Sequence, residues 1–249
     1  MLMHKSFVLL CAALPPLCAR AASDAGAAPP ALEGLPLVVL QSDAARADGA
    51  AHPDLFALFL TGDGGWAPLP RVVSDGLLAA GISVVGLNSR RYLHRGRTPE
   101  ETAHDVERIL EYYSEQWARS RILLIGYSRG ADLLPFVINR LSPAMRSRVE
   151  LAALLNPATE TRFAAGIDDN APDPPNRGSL QLMPEMTALD GVDVLCVYGA
   201  GDKHALCPTL PTQRYDVLAV GHGHHFDHDY AALADAIVSR IADTRTQAP

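Results

Sequence analysis

The chain has 249 residues, of which 48% are hydrophobic, and it carries a formal net charge of -7 at pH 7. Its length suits one α/β domain, or at most two small ones, with ample apolar material for a core. The net charge is negative, whereas nucleic-acid-binding proteins are typically strongly basic, so no nucleic-acid partner is expected.

The first predicted element is a secretory signal peptide over residues 1–22. A short basic start precedes an apolar core at 7–14, and an A-x-A-like cleavage site ends at Ala21. The apolar run is too short to span a bilayer as a helix, and no later stretch is long enough either. We therefore expect an exported protein that is cleaved near Ala21. A lipoprotein anchored through Cys18 is the disfavoured alternative, because two prolines closely precede that cysteine.

Two cysteines remain once that peptide is removed, Cys196 and Cys207. An exported chain enters an oxidising compartment, in which cysteines tend to pair. Pairing would close only a small loop, so the sequence predicts a disulfide between them. The alternative is a pair of buried free thiols.

Beyond the signal peptide, the sequence predicts a flexible Ala/Pro-rich leader at 23–34 and a single domain at 35–245. A first strand is expected at 35–40, at a sheet edge where Pro36 is tolerated. From residue 55 onward, strand and helix patterns alternate. The predicted strands are 55–60, 82–87, 122–125, 151–155, 192–198 and 215–220, and the predicted helices are 70–80, 99–117, 131–141 and 230–242.

Repeated strand–helix units predict a mainly parallel sheet with helices on both faces. In such sheets, functional sites form beyond the carboxyl ends of the strands. Two connections are predicted to have no regular structure: a basic loop at 88–97 and an irregular surface excursion at 159–189, which contains a dense Pro/Asn/Asp stretch.

The pattern Gly-x-Ser-x-Gly lies between the predicted strand at 122–125 and the predicted helix at 131–141. Strand, pattern and helix in this order indicate a nucleophile elbow. Gly126 and Gly130 permit the sharp turn, since bulk at either position would collide with the neighbouring strand and helix. Ser128 would then lie at the tip, where helix N–H groups favour developing negative charge. The alternative is an ordinary loop with an incidental serine.

A serine hydroxyl needs a base to take its proton, and in this fold the chain order is serine, acid, histidine. Asp202 follows the next-to-last predicted strand through a tight Gly-rich turn, as the acid should. Its alternative role is to cap local N–H groups of the turn. Other aspartates lie in the excursion or before the strand and are worse placed.

Four histidines follow the last predicted strand, between residues 221 and 228. The G-x-G-H-x-F pattern resembles the histidine loop of many α/β-hydrolases and indicates His224 as the base. His225 is the alternative, because spacing alone does not separate neighbours that face opposite ways.

The same histidines could be metal ligands, in the manner of the H-x-H-x-D-H motif of metallo-β-lactamase-like hydrolases. Asp227, however, is one residue too far from His224, and no second His/Asp cluster is available to complete such a site. We therefore expect neither a metal nor another cofactor.

Acyl transfer at Ser128 also requires two N–H donors for the oxyanion. The sequence predicts one from Arg129, which follows the nucleophile, and one from Asp63, in the glycine-rich loop after the strand at 55–60. Gly64 is the alternative second donor. Phosphate binding by the loop at 62–65 is disfavoured, because no Gly-Lys-Ser/Thr follows it.

Together these segments resemble the VirJ family of bacterial virulence proteins, which includes the C-terminal domain of AcvB. The matching segments are LTGDGGWA at 60–67, VVGLNSRRY at 84–92, RTPEETAHDVERILEYYSEQW at 97–117, GYSRGADLLPF at 126–136, CVYG…D…C at 196–207 and GHHFDHDY at 223–230. They cover nearly all of the predicted mature chain. Two departures stand out: Arg129 replaces an expected aromatic residue, and Arg90 with Arg91 makes the loop at 88–97 unusually basic.

The resemblance implies a periplasmic enzyme of the α/β-hydrolase fold, associated with virulence and type IV secretion, with secretion-system proteins as possible partners. It also implies hydrolysis of aminoacyl-phosphatidylglycerol, notably the lysyl ester, at the membrane surface. Asp63 and Asp132 are candidates to receive the lysyl ammonium, and Arg91 to meet the lipid phosphate. The alternatives are that Asp132 simply occupies the first turn of its helix and that residues 90–97 form a solvated charge run.

Two further functions compete with this one. The first is a general carboxylesterase of the dienelactone-hydrolase type that acts on a soluble ester. The second is a non-catalytic periplasmic binding protein or secretion chaperone. The complete serine, acid and histidine order favours an enzyme that hydrolyses esters through Ser128, Asp202 and His224.

Overall fold

A computed structural model describes residues 30–43, 51–164 and 178–246 of the chain, with side chains up to residue 241. The predicted signal peptide and residues 23–29 of the predicted leader lie outside the described residues, as does the Pro/Asn/Asp stretch of the excursion. Within the described residues, no helix combines the length and the apolar character needed to cross a bilayer.

Seven strands of the described chain form one sheet in the spatial order β1-β3-β2-β4-β5-β8-β9. β1 pairs antiparallel with β3, and the other neighbours are parallel. The strands are β1 Leu37–Leu40, β2 Leu55–Leu60, β3 Ser83–Leu87, β4 Arg121–Tyr127, β5 Val149–Leu155, β8 Val194–Ala200 and β9 Asp216–His222. β6 Glu160–Thr161 and β7 Leu180–Gln181 form a separate two-stranded pair.

The predicted mainly parallel sheet is therefore confirmed, with small shifts at the ends of strands. β1 lies at the sheet edge, immediately after Pro36, which has no N–H to donate to a ladder. The inner strands read as continuous apolar runs because both of their faces are covered. All six residues of β2, for example, are fully buried.

The helices that follow the strands begin and end close to the predicted positions. They are α1 Pro68–Ala79, α2 Ser89–Tyr92, α3 Pro99–Trp117, α4 Arg129–Arg140, α5 Pro143–Arg146, α6 Leu182–Thr187 and α7 Tyr230–Thr246. α3 starts where a capping box places it, since the side chains of Thr98 and Glu101 each accept from the other's backbone N–H.

The structure corrects two predicted irregular regions. The loop at 88–97 contains α2 and a further 3-10 turn, and the excursion at 159–189 contains the β6–β7 pair and α6. Elements of two to six residues are too short to produce a periodic hydrophobic pattern, so the sequence gives no sign of them.

Helices cover both faces of the sheet and create two apolar cores. On one face, Val106 and Leu110 of α3 and Val137 of α4 pack with even-numbered residues of β4 such as Leu124. On the other, α1 and α7 pack with odd-numbered residues of the same strand. This alternation follows from the two-residue repeat of a strand, and it shows that β4 crosses the middle of the molecule.

The parallel strands bring their carboxyl ends to one edge of the sheet. β2, β4, β5, β8 and β9 point the same way and end at residues 60, 127, 155, 200 and 222. The loops that follow them therefore meet at this edge, although the ends of β2 and β9 are 162 positions apart along the chain. Every residue predicted to act in catalysis lies in one of these loops or at the start of the helix that follows it.

Candidate active site

Ser128 occupies a strained turn between β4 and α4. Its φ is 51° and its ψ is -121°, a conformation that non-glycine residues rarely adopt and that costs on the order of 1–3 kcal/mol. The turn is held on both sides, because the Ser128 N–H donates to the Leu155 carbonyl at 2.9 Å and the Ser128 carbonyl accepts from the Asp132 N–H at 2.9 Å. This is the geometry expected of a nucleophile elbow.

The two glycines of the pattern are required by close backbone approach. A Cβ at Gly126 would lie 2.5 Å from the Ala131 nitrogen, and a Cβ at Gly130 would lie 2.5 Å from the Leu60 carbonyl carbon. Both distances are shorter than any real Cβ contact. The elbow can therefore pack against β2 and the start of α4 only with glycine at these positions.

The structure brings Ser128, His224 and Asp202 into one hydrogen-bonded chain. His224 Nε2 lies 2.8 Å from Ser128 Oγ, and His224 Nδ1 lies 3.1 Å from Asp202 Oδ2. When the neutral ring carries its proton on Nδ1, this N–H donates a hydrogen bond to the carboxylate. Nε2 is then free to accept a hydrogen bond from the serine hydroxyl. The three side chains thus have the spacing of a nucleophile, a base and an orienting acid.

Asp202 combines the two roles that the sequence left open. Its Oδ1 accepts from the His204 N–H at 2.9 Å, as a turn cap does, while its Oδ2 faces the imidazole. The side chain is only 8% exposed. Burial raises the pKa of the Asp202 carboxyl, but hydrogen bonds from the His204 N–H, the Asn156 amide and His224 outweigh burial and lower it overall. The carboxylate is therefore charged at neutral pH.

His225, the alternative base, faces away from the nucleophile. Its Nδ1 lies 2.9 Å from Tyr127 Oη, and the same hydroxyl is 3.2 Å from the His224 carbonyl oxygen. Burial, and then the neighbouring His224 and His228, lower the pKa of His225, which favours the neutral ring. With its proton on Nδ1, that ring donates to Tyr127 Oη, whose own hydrogen goes to the His224 carbonyl. Tyr127 thus ties the histidine loop to the elbow.

Replacing His225 with Gln is expected to leave kcat/KM for ester hydrolysis within about threefold of the unmodified protein, the size of effect typical outside the reacting groups. The contact between His224 and Ser128 does not involve His225, and Tyr127 can still donate to the His224 carbonyl. Steady-state kinetics on a nitrophenyl ester would measure the effect. A folded variant slowed by a hundredfold or more would instead identify His225 as the base.

The glycine-rich loop after β2 lies directly against the nucleophile. Gly65 N–H donates to the Gly62 carbonyl at 2.9 Å, which closes a turn with Asp63 and Gly64 at its centre. A Cβ at Gly62 would lie 3.2 Å from Ser128 Cβ, so the backbone of this loop is within reach of a group bound to the serine. Arg129 begins α4, and its N–H has no acceptor within the helix. The oxyanion roles of Arg129 and Asp63 remain predictions.

An ion pair that the sequence did not reveal joins these two predicted donors through their side chains. Arg129 Nη2 lies 3.1 Å from Asp63 Oδ2, and Arg129 Nη1 lies 3.3 Å from the Arg162 carbonyl oxygen. The arginine that departs from the family pattern therefore links the elbow, the loop after β2 and the excursion. The Asp63 carboxylate, one candidate for a substrate ammonium, is already paired with this guanidinium.

Asp132 does not fit the role of an open acceptor for a substrate ammonium. The residue is only 5% exposed, and its Oδ1 accepts from the Ala158 N–H at 2.7 Å. The carboxylate instead fixes the segment that follows β5. Arg91, the candidate for the lipid phosphate, lies exposed on α2, where its N–H donates to Asn88 Oδ1 at 3.2 Å.

Burial raises the pKa of Asp132 to about 7, although the Ala158 N–H and the Arg129 guanidinium oppose the shift. A carboxyl with a raised pKa holds its proton more tightly in the folded state, so stability is lost as pH rises from about 4 through 7. Asp132→Asn keeps an acceptor for Ala158 and removes the buried charge. We expect the free energy of unfolding of the variant, relative to that of the unmodified protein, to increase by about 1–3 kcal/mol between pH 5 and pH 8, at about 1.4 kcal/mol per pKa unit.

Denaturant unfolding of the two proteins at pH 5 and pH 8 would measure this change. An advantage that stays constant or narrows as pH rises would show that the folded protein does not raise the pKa of Asp132.

Asn156 is a member of the site to which the sequence analysis assigned no role. It follows β5 directly, with φ 53° and 1% exposure. Its Nδ2 lies 2.6 Å from Asp202 Oδ2 and 2.7 Å from His224 Nδ1. The available signal was its place at the carboxyl end of an inner strand, which is the property that identified the other members of the site.

The other two histidines of the segment 221–228, His222 and His228, make local contacts. His222 Nδ1 lies 2.9 Å from Asp227 Oδ2, and His228 Nδ1 lies 2.7 Å from Tyr230 Oη. Among the described residues, no group of three or more His, Cys, Asp or Glu side chains is arranged to hold a metal ion.

The predicted pairing of Cys196 and Cys207 is confirmed. The two residues form a disulfide with their Cα atoms 5.5 Å apart. The closed loop begins in β8 and contains Asp202, so the covalent link limits the movement of the segment that carries the acid.

The chain matches a family model described as bacterial virulence protein (VirJ) over residues 54–245. Comparison with curated protein sequences gives no significant match.

Solved structures share the fold at low sequence identity. Est1E from Butyrivibrio proteoclasticus is 13% identical with a TM-score of 0.55, over 83% of this chain and 94% of that chain. An alpha-beta serine hydrolase homologue from Coxiella burnetii is 13% identical with a TM-score of 0.55, over 82% and 90%. The thioesterase domain from the curacin biosynthetic pathway is 15% identical with a TM-score of 0.55, over 81% and 94%. These similarities confirm the α/β-hydrolase fold.

Proposed function

Because this chain belongs to the VirJ family of bacterial virulence proteins, we propose that it is a serine hydrolase that cleaves carboxylic esters. The observation that carries the proposal is the hydrogen-bonded chain from Ser128 through His224 to Asp202 at the carboxyl edge of the sheet. A strained nucleophile, a base within hydrogen-bond reach and a buried acid are together the minimum set for acyl transfer through a serine.

In the proposed first step, Ser128 Oγ attacks the carbonyl carbon of the ester while His224 Nε2 removes its proton. Asp202 stabilises the imidazolium that forms and keeps the ring oriented. The backbone N–H groups of Arg129 and Asp63 hold the oxyanion, an interaction of which each donor is typically worth about 100-fold to 1,000-fold in rate. The intermediate then collapses, the alcohol leaves with the proton from His224, and the acyl group remains on Ser128.

In the second step, a water molecule attacks the acyl ester while His224 takes one of its protons. The new tetrahedral intermediate releases the carboxylic acid and returns the proton to Ser128. Both half-reactions use the same base and the same oxyanion donors, so a single site completes the cycle without a cofactor.

The proposed substrate is aminoacyl-phosphatidylglycerol, notably the lysyl ester, at the outer surface of the cytoplasmic membrane. Family membership supports this choice, and so does the chemistry: the ammonium beside an aminoacyl carbonyl withdraws electrons and makes the ester easier to attack. Arg91 lies on α2, just after Asn88, and Asn88 lies next to Gly65 of the proposed oxyanion loop, so an anionic headgroup could bind near this loop. We further propose an exported, periplasmic protein with a link to type IV secretion.

Purified protein tests the proposed function and substrate together. Vesicles that contain lysyl-phosphatidylglycerol and a panel of short nitrophenyl esters are offered in parallel, and Ser128 is probed with a fluorophosphonate. Preferred release of lysine would support the lipid substrate. Preferred cleavage of nitrophenyl esters would indicate a general carboxylesterase of the dienelactone-hydrolase type. No turnover and no labelling of Ser128 would indicate a non-catalytic binding protein or chaperone.

A further inference from the structure

We propose that Asn156 is a positioning residue for Asp202 and His224, and that residue 156 is a second position from which a carboxylate can serve the same imidazole. The inference rests on the proposed serine hydrolase function, since it assigns Asn156 a role relative to the proposed base.

The topology of the sheet places residue 156 between the acid and the nucleophile. β5 lies between β4, which ends at the elbow, and β8, which leads to Asp202. The first residue after β5 therefore lies at the sheet edge between Ser128 and Asp202. Its backbone is fixed there, because the Asn156 N–H donates to the Val197 carbonyl at 2.6 Å and the Ser128 N–H donates to the residue before it, Leu155.

Three polar atoms meet at this point. Asn156 Nδ2 is 2.6 Å from Asp202 Oδ2 and 2.7 Å from His224 Nδ1, and these two atoms are 3.1 Å apart. The amide thus approaches the imidazole nitrogen more closely than the carboxylate does. Within the described chain, the buried Oδ1 of Asn156 has no hydrogen-bond partner, so the close polar contacts of this side chain are those of Nδ2 with the acid and the base.

One amide hydrogen has a clear use, which is to donate to Asp202 Oδ2. This bond orients the carboxylate and contributes to its lowered pKa. The contact between the Asn156 amide nitrogen and His224 Nδ1 is different. When His224 Nδ1 carries the proton that it donates to Asp202, the amide nitrogen and Nδ1 are both donors and do not bond to each other. The amide therefore slightly disfavours a proton on His224 Nδ1. At the same time it holds in place the Asp202 carboxylate, which stabilises that proton.

A carboxylate at residue 156 would remove that conflict. Asp has the shape of Asn and tolerates the same positive φ, so its oxygen would take the position of Nδ2 and accept from Nδ1. With Asp202 still present, the two carboxylates would be about as close as the present 2.6 Å contact and would share a proton. With Asn at 202, the amide and the acid would simply exchange places.

The test compares the unmodified protein with Asp202→Asn, Asn156→Asp and the double exchange, in the same ester assay. Asp202→Asn should lose about 1,000-fold to 10,000-fold in kcat, as expected when the imidazole loses its acid. The double exchange should have a kcat at least about 30-fold higher than that of Asp202→Asn. If the two substitutions acted independently, their losses would multiply and the double exchange would be slower than Asp202→Asn. A folded double exchange that is as slow as Asp202→Asn overturns the proposal.

The design separates this proposal from the proposed function. Unimpaired activity of Asp202→Asn would refute the triad itself. A large loss in that variant without recovery in the exchange would refute only the role of residue 156.

Asn156→Ala decides the matter if the double exchange does not fold. Loss of the amide that orients Asp202 should lower kcat roughly tenfold and leave KM within about twofold, because the amide contacts the acid and the base. A merely structural role would lower the melting temperature and leave kcat of the folded protein in place. An unchanged kcat in a folded Asn156→Ala protein therefore overturns the proposal.

Discussion

Replacing Ser128 with Ala is expected to lower kcat/KM for ester hydrolysis by about 10,000-fold or more while the protein stays folded. The hydroxyl is the only group at the tip of the elbow that can form the acyl intermediate. Its removal deletes one hydrogen bond, to His224 Nε2, and changes no packing in either core. The melting temperature should therefore shift by no more than about 4 °C, the equivalent of roughly 1 kcal/mol.

Three controls make the Ser128→Ala result specific. Ser147→Ala removes an exposed serine before β5, at the opposite edge of the sheet, and should be fully active. Fluorophosphonate should label the unmodified protein and not Ser128→Ala. The double variant Ser128→Ala with His224→Ala should have nearly the same kcat/KM as Ser128→Ala alone, because a nucleophile and its base act as one unit. Retained hydrolysis in folded Ser128→Ala would refute the proposed mechanism.

Gly130→Ala is expected to destabilise the fold by about 4 kcal/mol or more, which exceeds the range of most single substitutions. The new Cβ would lie 2.5 Å from the Leu60 carbonyl carbon and 2.7 Å from the Thr61 carbonyl oxygen. Both belong to the backbone of β2 or its end, which is held between β3 and β4, so neither can move aside as a flexible side chain could. Only separation of α4 from the sheet would make room.

Gly178→Ala is the matched control for this substitution. A Cβ at Gly178 meets no atom within 4 Å, so the same chemical change should be close to neutral there. Urea unfolding of the three proteins would give the free energies of unfolding, and soluble yield would provide a second readout. Equal stability of Gly130→Ala and Gly178→Ala would mean that the elbow is not packed against β2 as described.

Much of the site could be predicted because its members share one simple property. Ser128, Asp202 and His224 each follow an inner strand of a parallel sheet, and parallel strands deliver their carboxyl ends to the same edge. The apolar runs that identify the strands are strong signals, since strands covered on both faces have no polar residues to interrupt the pattern. Chain order and strand position together were enough to select Ser128, Asp202 and the loop that carries His224.

The choice between His224 and His225 needed the structure. Adjacent residues of a loop differ in direction, and sequence spacing does not determine which one faces the nucleophile. Here a tertiary contact decides it, because Tyr127 Oη engages His225 Nδ1 and the backbone carbonyl of His224. The tyrosine belongs to β4, about a hundred residues earlier in the chain.

The residues that sequence reasoning misplaced or missed depend on pairings across long distances in the chain. Asp63 was a candidate for binding a substrate ammonium, but it pairs with Arg129, 66 positions away. Asp132 was another such candidate, and it is buried against the segment after β5. Asn156 carried no pattern of its own, because an amide at a strand end is common and acquires meaning only from its neighbours.

The loop that carries His224 follows β9, the last strand of the sheet along the chain. β9 is at the open edge, and α7 behind it packs on α1, where Ala234 approaches Gly76 closely. The strands around the elbow, β2, β4 and β5, all precede β9 in the chain, so the elbow can form before the base docks, and parallel pairing between distant segments is slow. A C-terminally truncated chain would present a folded nucleophile without its base. The proposed hydrolytic activity thus depends on the docking of the C-terminal strand and helix.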